Sequence, residues 1–446
     1  MTGRKSESFW ISHLLRRAGF GTTPQELRYY TDLGYDKTVD ELLDPQSVNN
    51  DALEQQIRQQ DFDFTLTDDL KRWWLYRMAF TRRPLEEKMT LFWHGHFATS
   101  DRKVNNAYAM YGQNQLFRKL ALGNFHELLF SVSKDPAMIV WLDNQQNRKG
   151  KPNENYAREI MELFTLGAFN GYTEKDIKEA ARAFTGWQTH PDGFYFNKNQ
   201  HDEGEKTVLG VTGNLNGDDV IDILVKQPAA PKFLSRKLVK FFVLDVPDEG
   251  LVNRIADVYI HSNYSIKQMM QALLTDKAFL SEKAFHAKIK SPAELVVGTI
   301  KTLQVTTLDA DLPATMARMG QDLLMPPTVK GWDGGQAWIS TGTMMERFNF
   351  ANRMTSEKFA DLHKYMSPSQ MLQKQGLANA GQAVDYFLDL LVDADVPANT
   401  RQKLVDYLSS DLKGNAIGNI PDDQTLDAKL RGLVHLIMTL PTYQLA

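Results

Sequence analysis

Phe92-Trp93-His94-Gly95-His96-Phe97 places two imidazoles two residues apart. Imidazole binds divalent metals and exchanges protons near neutral pH, so the pair invites either chemistry. The backbone decides between them. Leu85 to Phe97 holds no breaker except Gly95, and at about 100° per residue Leu85, Met89, Phe92, Trp93 and His96 share one face. His94 falls on the opposite side, near Glu87 and Thr90. Helical metal ligands sit at i, i+3 or i, i+4, so a shared metal requires a break at Gly95. A continuous helix separates the two. His96 is then a core histidine with a hydrogen-bond partner, or the histidine of a partly buried cleft with a shifted pKa.

A second constellation runs from Asn153 to Gly167. Asn153 suits an N-cap and Gly167 a C-terminal stop. Asn155, Glu159 and Glu162 fall at i, i+4 and i+7 on one face, flanked by Arg158, with Ile160, Leu163 and Phe164 on the other. Two carboxylates one turn apart can bind a divalent cation, hold an arginine or act as an acid/base pair. The bland reading is a solvated Arg–Glu face, worth little. The third group is His201, Asp202 and Lys206, which an Asp-Glu-Gly turn would place over a pocket, with Arg182 on the preceding helix. The fourth is Leu324 to Gly335, where Pro326, Pro327, Gly331, Gly334 and Gly335 prevent a long helix. Its Trp332 and Asp333 suit a pocket wall or a rigid connector. Arg236-Lys237 adds a cationic pair on an amphipathic helix.

The elements that must position these groups are mostly helices. Amphipathic stretches include 84–98, 103–121, 153–167, 173–185, 229–244 and 291–304. Residues 193–210 alternate aromatic and polar side chains and turn at Asp202-Glu203-Gly204, which predicts one β-hairpin. The fold class is therefore mainly α, a large multi-helix domain with one small β-hairpin insertion. The chain reads as a single domain over 1–446, with a C-terminal helical subdomain over 366–446 and a boundary near Lys364–Ser369 as the alternative division.

Composition narrows the classes. The 446 residues carry 51 Lys+Arg against 55 Asp+Glu, a formal net charge of −4, which gives no bulk attraction to nucleic acid or an anionic membrane. No run approaches the about 18 apolar residues of a membrane span. Cysteine is absent, so disulfides and thiolate metal sites are excluded. Arg16-Arg17 leads into Ala18-Gly19-Phe20-Gly21 rather than an apolar run, so it does not read as a twin-arginine signal. As it stands the sequence suggests the cytoplasm; a removed signal would suggest the periplasm or export.

These landmarks also carry a resemblance. Arg16 to Gly21, Phe92 to Phe97, Asn153 to Gly167, Ala183-Phe184-Thr185-Gly186-Trp187, His201-Asp202 with Lys206-Thr207, and Pro326-Pro327 with Lys330-Gly331-Trp332 follow in the order of a bacterial family. The chain resembles domain of unknown function 1800 from about residue 10 to 440. The resemblance implies no activity. It implies a neighbouring partner similar to sulfatases and alkaline phosphatases, and hence a pathway on an anionic or polysaccharide substrate.

The expectation is a site of imidazoles, carboxylates and cations. One version binds a divalent metal through His96, Glu159, Glu162 and His201. The other clamps an anion with Arg158, Arg182 and Lys206, with Glu159, Glu162 or His201 catalytic and His94, Lys330 and Trp332 contacting substrate. An enzyme, hydrolase or transferase, on a phosphate-, sulfate- or sugar-containing substrate is one class. A non-catalytic helical binding or scaffold protein for such a partner is the other.

Overall fold

A computed structural model describes residues 6–359, 367–377, 379–411, 413–417 and 423–446. Its helices follow the apolar periodicity. The expected 84–98, 153–167, 229–244 and 291–304 stretches appear as Pro84–His96, Asn155–Glu159 extended by Ile160–Thr165, Ala229–Phe242 and Pro292–Thr302. The mainly helical class holds. Part of the expected boundary near Lys364–Ser369, residues 364–366, lies outside the described residues.

The strand region differs in detail. It holds two antiparallel hairpins, not one. β1 (Trp187–His190) pairs with β2 (Gly193–Phe196), and β3 (Lys206–Val208) pairs with β4 (Val211–Gly213). The second turns at Leu209-Gly210, with φ of 49° and 82°. Two successive positive φ values make the turn that matches strand twist. Asp202-Glu203-Gly204 is not a hairpin turn, because Arg182 draws Asp202 toward the helix before it.

Buried apolar side chains form two clusters. One gathers Trp93, Phe97, Phe125, Phe164 and Leu238. The other gathers Trp73, Trp74, Val296, Phe387 and Leu433, so the C-terminal helices share a core with helices far earlier in the chain. The Pro84–His96 helix serves both, sending Met89 and Trp93 to the first and Leu91 to the second.

That helix is also fixed by buried charge. Pro84 starts it, and Glu86 and Glu87 lie in the first turn, where the helix dipole favours anions. Glu87 has no exposed surface. It accepts from Arg118 at 2.6 and 2.9 Å, from Arg77 at 3.1 Å and from the Trp74 indole at 3.2 Å. Lys88 is equally buried and donates to Glu294 and to the Gly19 carbonyl. Paired and hydrogen-bonded, these charges are tolerated; unpaired, either would be costly.

Two outcomes follow for stability. Glu87→Gln takes the carboxylate from buried Arg118 and leaves Arg77 with Glu54 alone, and should cost about 3–5 kcal/mol in urea unfolding. Acid should act in two stages. His94 and His96 sit at about 3 in the fold, below the ordinary 6.5, so their share is full above about 6.5 and drains as pH falls toward 3. Glu294 sits at about 2, held there by Lys88 and the Ser291 N–H against burial, so its share is present above 4.5 and lost as pH falls toward 2. Thermal melts from pH 7 to 3 on the wild type and Glu294→Gln check both, the variant losing the second stage.

Candidate functional site

The Pro84–His96 helix runs through Gly95 unbroken and ends at Phe97, where ψ reaches 51°. His94 and His96 therefore leave opposite sides. His94 is 1% exposed, and its Nε2 accepts the Leu324 backbone N–H at 3.2 Å. Acceptance at Nε2 puts the ring proton on Nδ1. The ring lies 5.5 Å from Trp332. The expected substrate contact from His94 is thus replaced by a structural one: the acceptor is engaged, and it holds the start of the Pro/Gly loop, where Leu324 has φ of 62°.

His96 has the opposite tautomer. Its Nε2 lies 3.0 Å from the Phe164 carbonyl, and a carbonyl only accepts, so Nε2 carries the proton. Nδ1 is a bare acceptor, buried and without a hydrogen-bond partner. Burial first, then the nearby Lys237 charge, pushes this imidazole down to about 3.

His96 forms part of the wall of a cleft of about 160 Å³. Phe92 and Phe241 add apolar wall, and Trp332 and Trp338 add indoles. Lys237, Lys240, Lys288 and Lys330 line it with Asp245, Glu294 and Asp333. These charges are not equivalent. Lys288 pairs with Asp245 and donates to the Lys240 carbonyl at 2.8 Å. Glu294 answers Lys88. Lys240 reaches only a backbone carbonyl, that of Asp333, at 3.4 Å. Among the described residues no carboxylate pairs with Lys237 or Lys330. Lys237 is half-buried, and desolvation followed by the charge of Lys240 holds it below the usual lysine range.

The Pro/Gly loop reaches this cleft by backbone contact. Gly331 has φ of 79°, and a Cβ there would run into the Gly95 carbonyl oxygen. Only glycine satisfies both demands. The contact sets Lys330 and Trp332 beside His96.

Glu159 and Glu162 come from the adjoining helix. Gly167 has φ of 89° and ends the segment where the sequence indicates; at the other end the N-cap is Glu154, one residue after the expected Asn153, whose Oδ1 accepts the Asn155 N–H at 3.0 Å. The interior departs from α geometry. Ile160–Thr165 is a π-helix, and the Leu166 N–H reaches back five residues to the Met161 carbonyl at 2.8 Å. Such turns re-aim side chains and recur at functional sites. Phe164, inside it, supplies the carbonyl that meets His96. Glu159 is half-buried and pushed up by desolvation, then by Glu162; Arg158 and Lys330 pull it down. Neither carboxylate has an ion-pair partner among the described residues.

The other expected groups are engaged elsewhere. Arg158 is bidentate to Glu174 at 2.8 and 2.7 Å and meets Glu154 at 3.3 Å. Arg182 binds Asp202 at 2.8 and 3.2 Å and Glu179 at 2.8 Å. Lys206 donates to the Gly204 carbonyl at 2.8 Å, and His201 Nδ1 lies 2.9 Å from the Thr185 carbonyl. The anion clamp of Arg158, Arg182 and Lys206 is therefore not assembled, because each cation already binds acceptors of its own surroundings. Nor is the metal set. Among the described residues no three His, Asp or Glu side chains are grouped to hold a metal ion, and His96 and His201 each turn a ring nitrogen to a carbonyl.

The structure thus joins His96, Lys330 and Trp332 in one cleft, with Glu159 within range of the Lys330 charge. It adds Lys240, Lys288 and Asp245, which sequence reasoning missed, and it separates the Arg236-Lys237 pair. Arg236 turns outward to Glu249, while Lys237 lines the cleft. The available signal was Lys237 and Lys240 at i, i+3 on one helix face.

Nitrogen-detected NMR should find His94 protonated on Nδ1 and His96 on Nε2, with neither titrating between pH 5 and 8. Gly331→Ala should lower stability and shift tryptophan fluorescence. Gly95→Ala, whose added methyl meets no atom within 4 Å, should fold normally.

No curated protein and no solved structure matches the chain. A family model does, described as "Protein of unknown function (DUF1800)", over residues 13–445. No helix among the described residues is long and apolar enough to cross a membrane. With residues 13–445 of its 446 residues matched, the chain belongs to the DUF1800 family.

Proposed function

We propose that the cleft is the active site of a hydrolase or transferase acting on a phosphate or sulfate ester. One observation carries the reading: Lys237 and Lys330, both without a carboxylate partner, line the same small cleft as a neutral histidine. Lys237 is half-buried, where an ammonium without a counter-ion is costly, Lys330 is exposed at the cleft wall, and a tetrahedral anion supplies the missing charge. Two aromatic side chains, Trp332 and Phe241, suit the organic part of the ester.

The chemistry is assigned to Glu159 and Glu162, which do not line the cleft; Glu159 lies within range of the charge of Lys330, which does. Burial first, then the charge of Glu162, pushes Glu159 up and favours its acid form. Glu159 in its acid form gives a proton to the leaving oxygen. Glu162 as carboxylate takes one from the attacking water or acceptor hydroxyl. The new bond forms from that oxygen to phosphorus or sulfur, and the ester bond breaks. Lys330, which feels Glu159 and lines the cleft, couples anion binding to this pair.

A second reading keeps the cleft and drops the turnover. Arg158, Arg182, His201 and Lys206 all make internal bonds, as a helical binding protein for a sulfatase- or phosphatase-like partner would use them.

Release of p-nitrophenol from its phosphate and sulfate esters tests the proposal. Turnover is expected, with Lys237→Ala raising KM at least about tenfold and Glu159→Gln lowering kcat by about 10²–10⁴ with the fold intact. Because Glu159 is raised, kcat should fall as pH rises through its shifted value, and Glu159→Gln should remove that limb. Sulfate binding without turnover would favour the binding reading. Binding of neither anion would remove both.

A further inference from the structure

We infer that Phe169 is a substrate-contacting residue, the tip of a Gly167–Gly171 flap that folds over the organic group of an ester held at Lys237 and Lys330. The inference rests on the proposal that the cleft takes an anionic ester, and it names the group that closes the side the cleft leaves open.

Phe169 is a side chain the closed fold does not use. It is 98% exposed, and its φ is 57°, a backbone region that a bulky residue enters only under strain. The chain thus holds a strained backbone and a phenyl ring in water at one residue, with no packing in return. Gly167 and Gly171 flank it with φ of 89° and 88°. Glycine moves through such conformations freely, so the segment has a hinge at each end. Ala168, Phe169, Asn170 and Gly171 are all exposed. Beyond the hinges the chain is fixed, by the π-helix that ends at Thr165 and by the reciprocal cap of Thr173 with Asp176 on the next helix. Within the flap the Asn170 amide donates to the Leu166 carbonyl at 2.8 Å, a tether that water can replace.

The location of the flap gives the strain a use. A Cβ on Gly167 would meet the Phe233 ring at 3.1 Å, and that ring lies 6.1 Å from the His96 ring and 5.4 Å from Lys237 Nζ. Phe169 is two residues from this hinge, about 7 Å of chain before its own side chain is counted. At the other hinge Tyr172 takes a backbone hydrogen bond from Phe169, and burial, then the charge of Glu162, pushes its hydroxyl up. The flap therefore adjoins the cleft at one end and the acid pair at the other. Glu159 and Glu162 do not line the cleft, so an ester bound there needs cover on the side of the pair. Trp332 and Phe241 meet the organic group from the wall, and a phenyl ring closing on its other face excludes water from the reacting bond. A ring stacking in this way suits an ester with a flat apolar organic group.

The test uses benzylphosphonate and benzylsulfonate, in which carbon replaces the bridging oxygen and prevents turnover, with inorganic phosphate and sulfate as anions that carry no organic group. A single 4-fluorophenylalanine at position 169 of the full chain reports closure by fluorine NMR. Its resonance should show a full solvent isotope shift in the free protein and lose it with a benzyl probe, but not with an inorganic anion. Asparagine tolerates positive φ, so Phe169→Asn should melt no lower than the wild type. By calorimetry it should bind a benzyl probe at least about tenfold more weakly and the inorganic anions unchanged. A benzyl probe that binds while the fluorine stays in water, or that binds Phe169→Asn equally well, overturns the flap and leaves the anion site standing. A lower melting temperature for Phe169→Asn makes the residue structural and overturns the flap as well. No binding of any of the four probes overturns the anion site, and the flap with it.

Discussion

The site depends on two peptide backbones touching. Gly331 lies against the Gly95 carbonyl with no room for a Cβ between them, and that contact joins a loop to a helix more than 200 residues earlier in the chain. Its geometry carries meaning only because the helix cannot move. Glu87 ties the helix to Arg77 and Arg118 on two neighbours, and Lys88 ties it to Glu294 on a third. Buried pairs of this kind add little net stability, but losing one partner is costly, so they resist alternative packings. The helix is placed by charge, the loop by glycine, and Lys330 and Trp332 by both.

The same segment shows how position sets the chemistry of one residue type. His94 and His96 are two residues apart and equally neutral. One receives a backbone N–H and the other gives a proton to a carbonyl. They consequently hold opposite tautomers, and only the second has an acceptor to spare. The carbonyl of the glycine between them is what the loop lies against at Gly331. His94 then secures the loop from the far side.

Much of this was legible in the sequence, for a local reason. Helical periodicity alone separates His94 from His96, because i and i+2 point apart in any α-helix. Gly167 marks the end of its helix, and Asn153 its start to within one residue, because capping is a short-range effect. The cation roles were not legible. Arg158, Arg182 and Lys206 look available as anion ligands until Glu174, Asp202 and Gly204 are seen beside them. Lys237 looks like half of a surface pair, and its significance lies in a partner it lacks. Lys288 meets Asp245 from 43 residues away, and no local pattern announces that contact. The single expected hairpin failed likewise, since Arg182 claims Asp202 across 20 residues.

The π turn at Ile160–Thr165 has a consequence for how this protein can change. A π turn is an α-helix carrying one surplus residue, so it is a register shift stored in the chain. Losing a single residue there would return the segment to ordinary helix. The apolar face would still find its core, since one helical geometry replaces another. The Phe164 carbonyl would swing away from His96, and the ring would be free to take the other tautomer. Deletions here are therefore a separate axis from substitutions: one codon at this helix can exchange the proton pattern of the cleft while His94, His96, Lys330 and Trp332 all stay in the sequence.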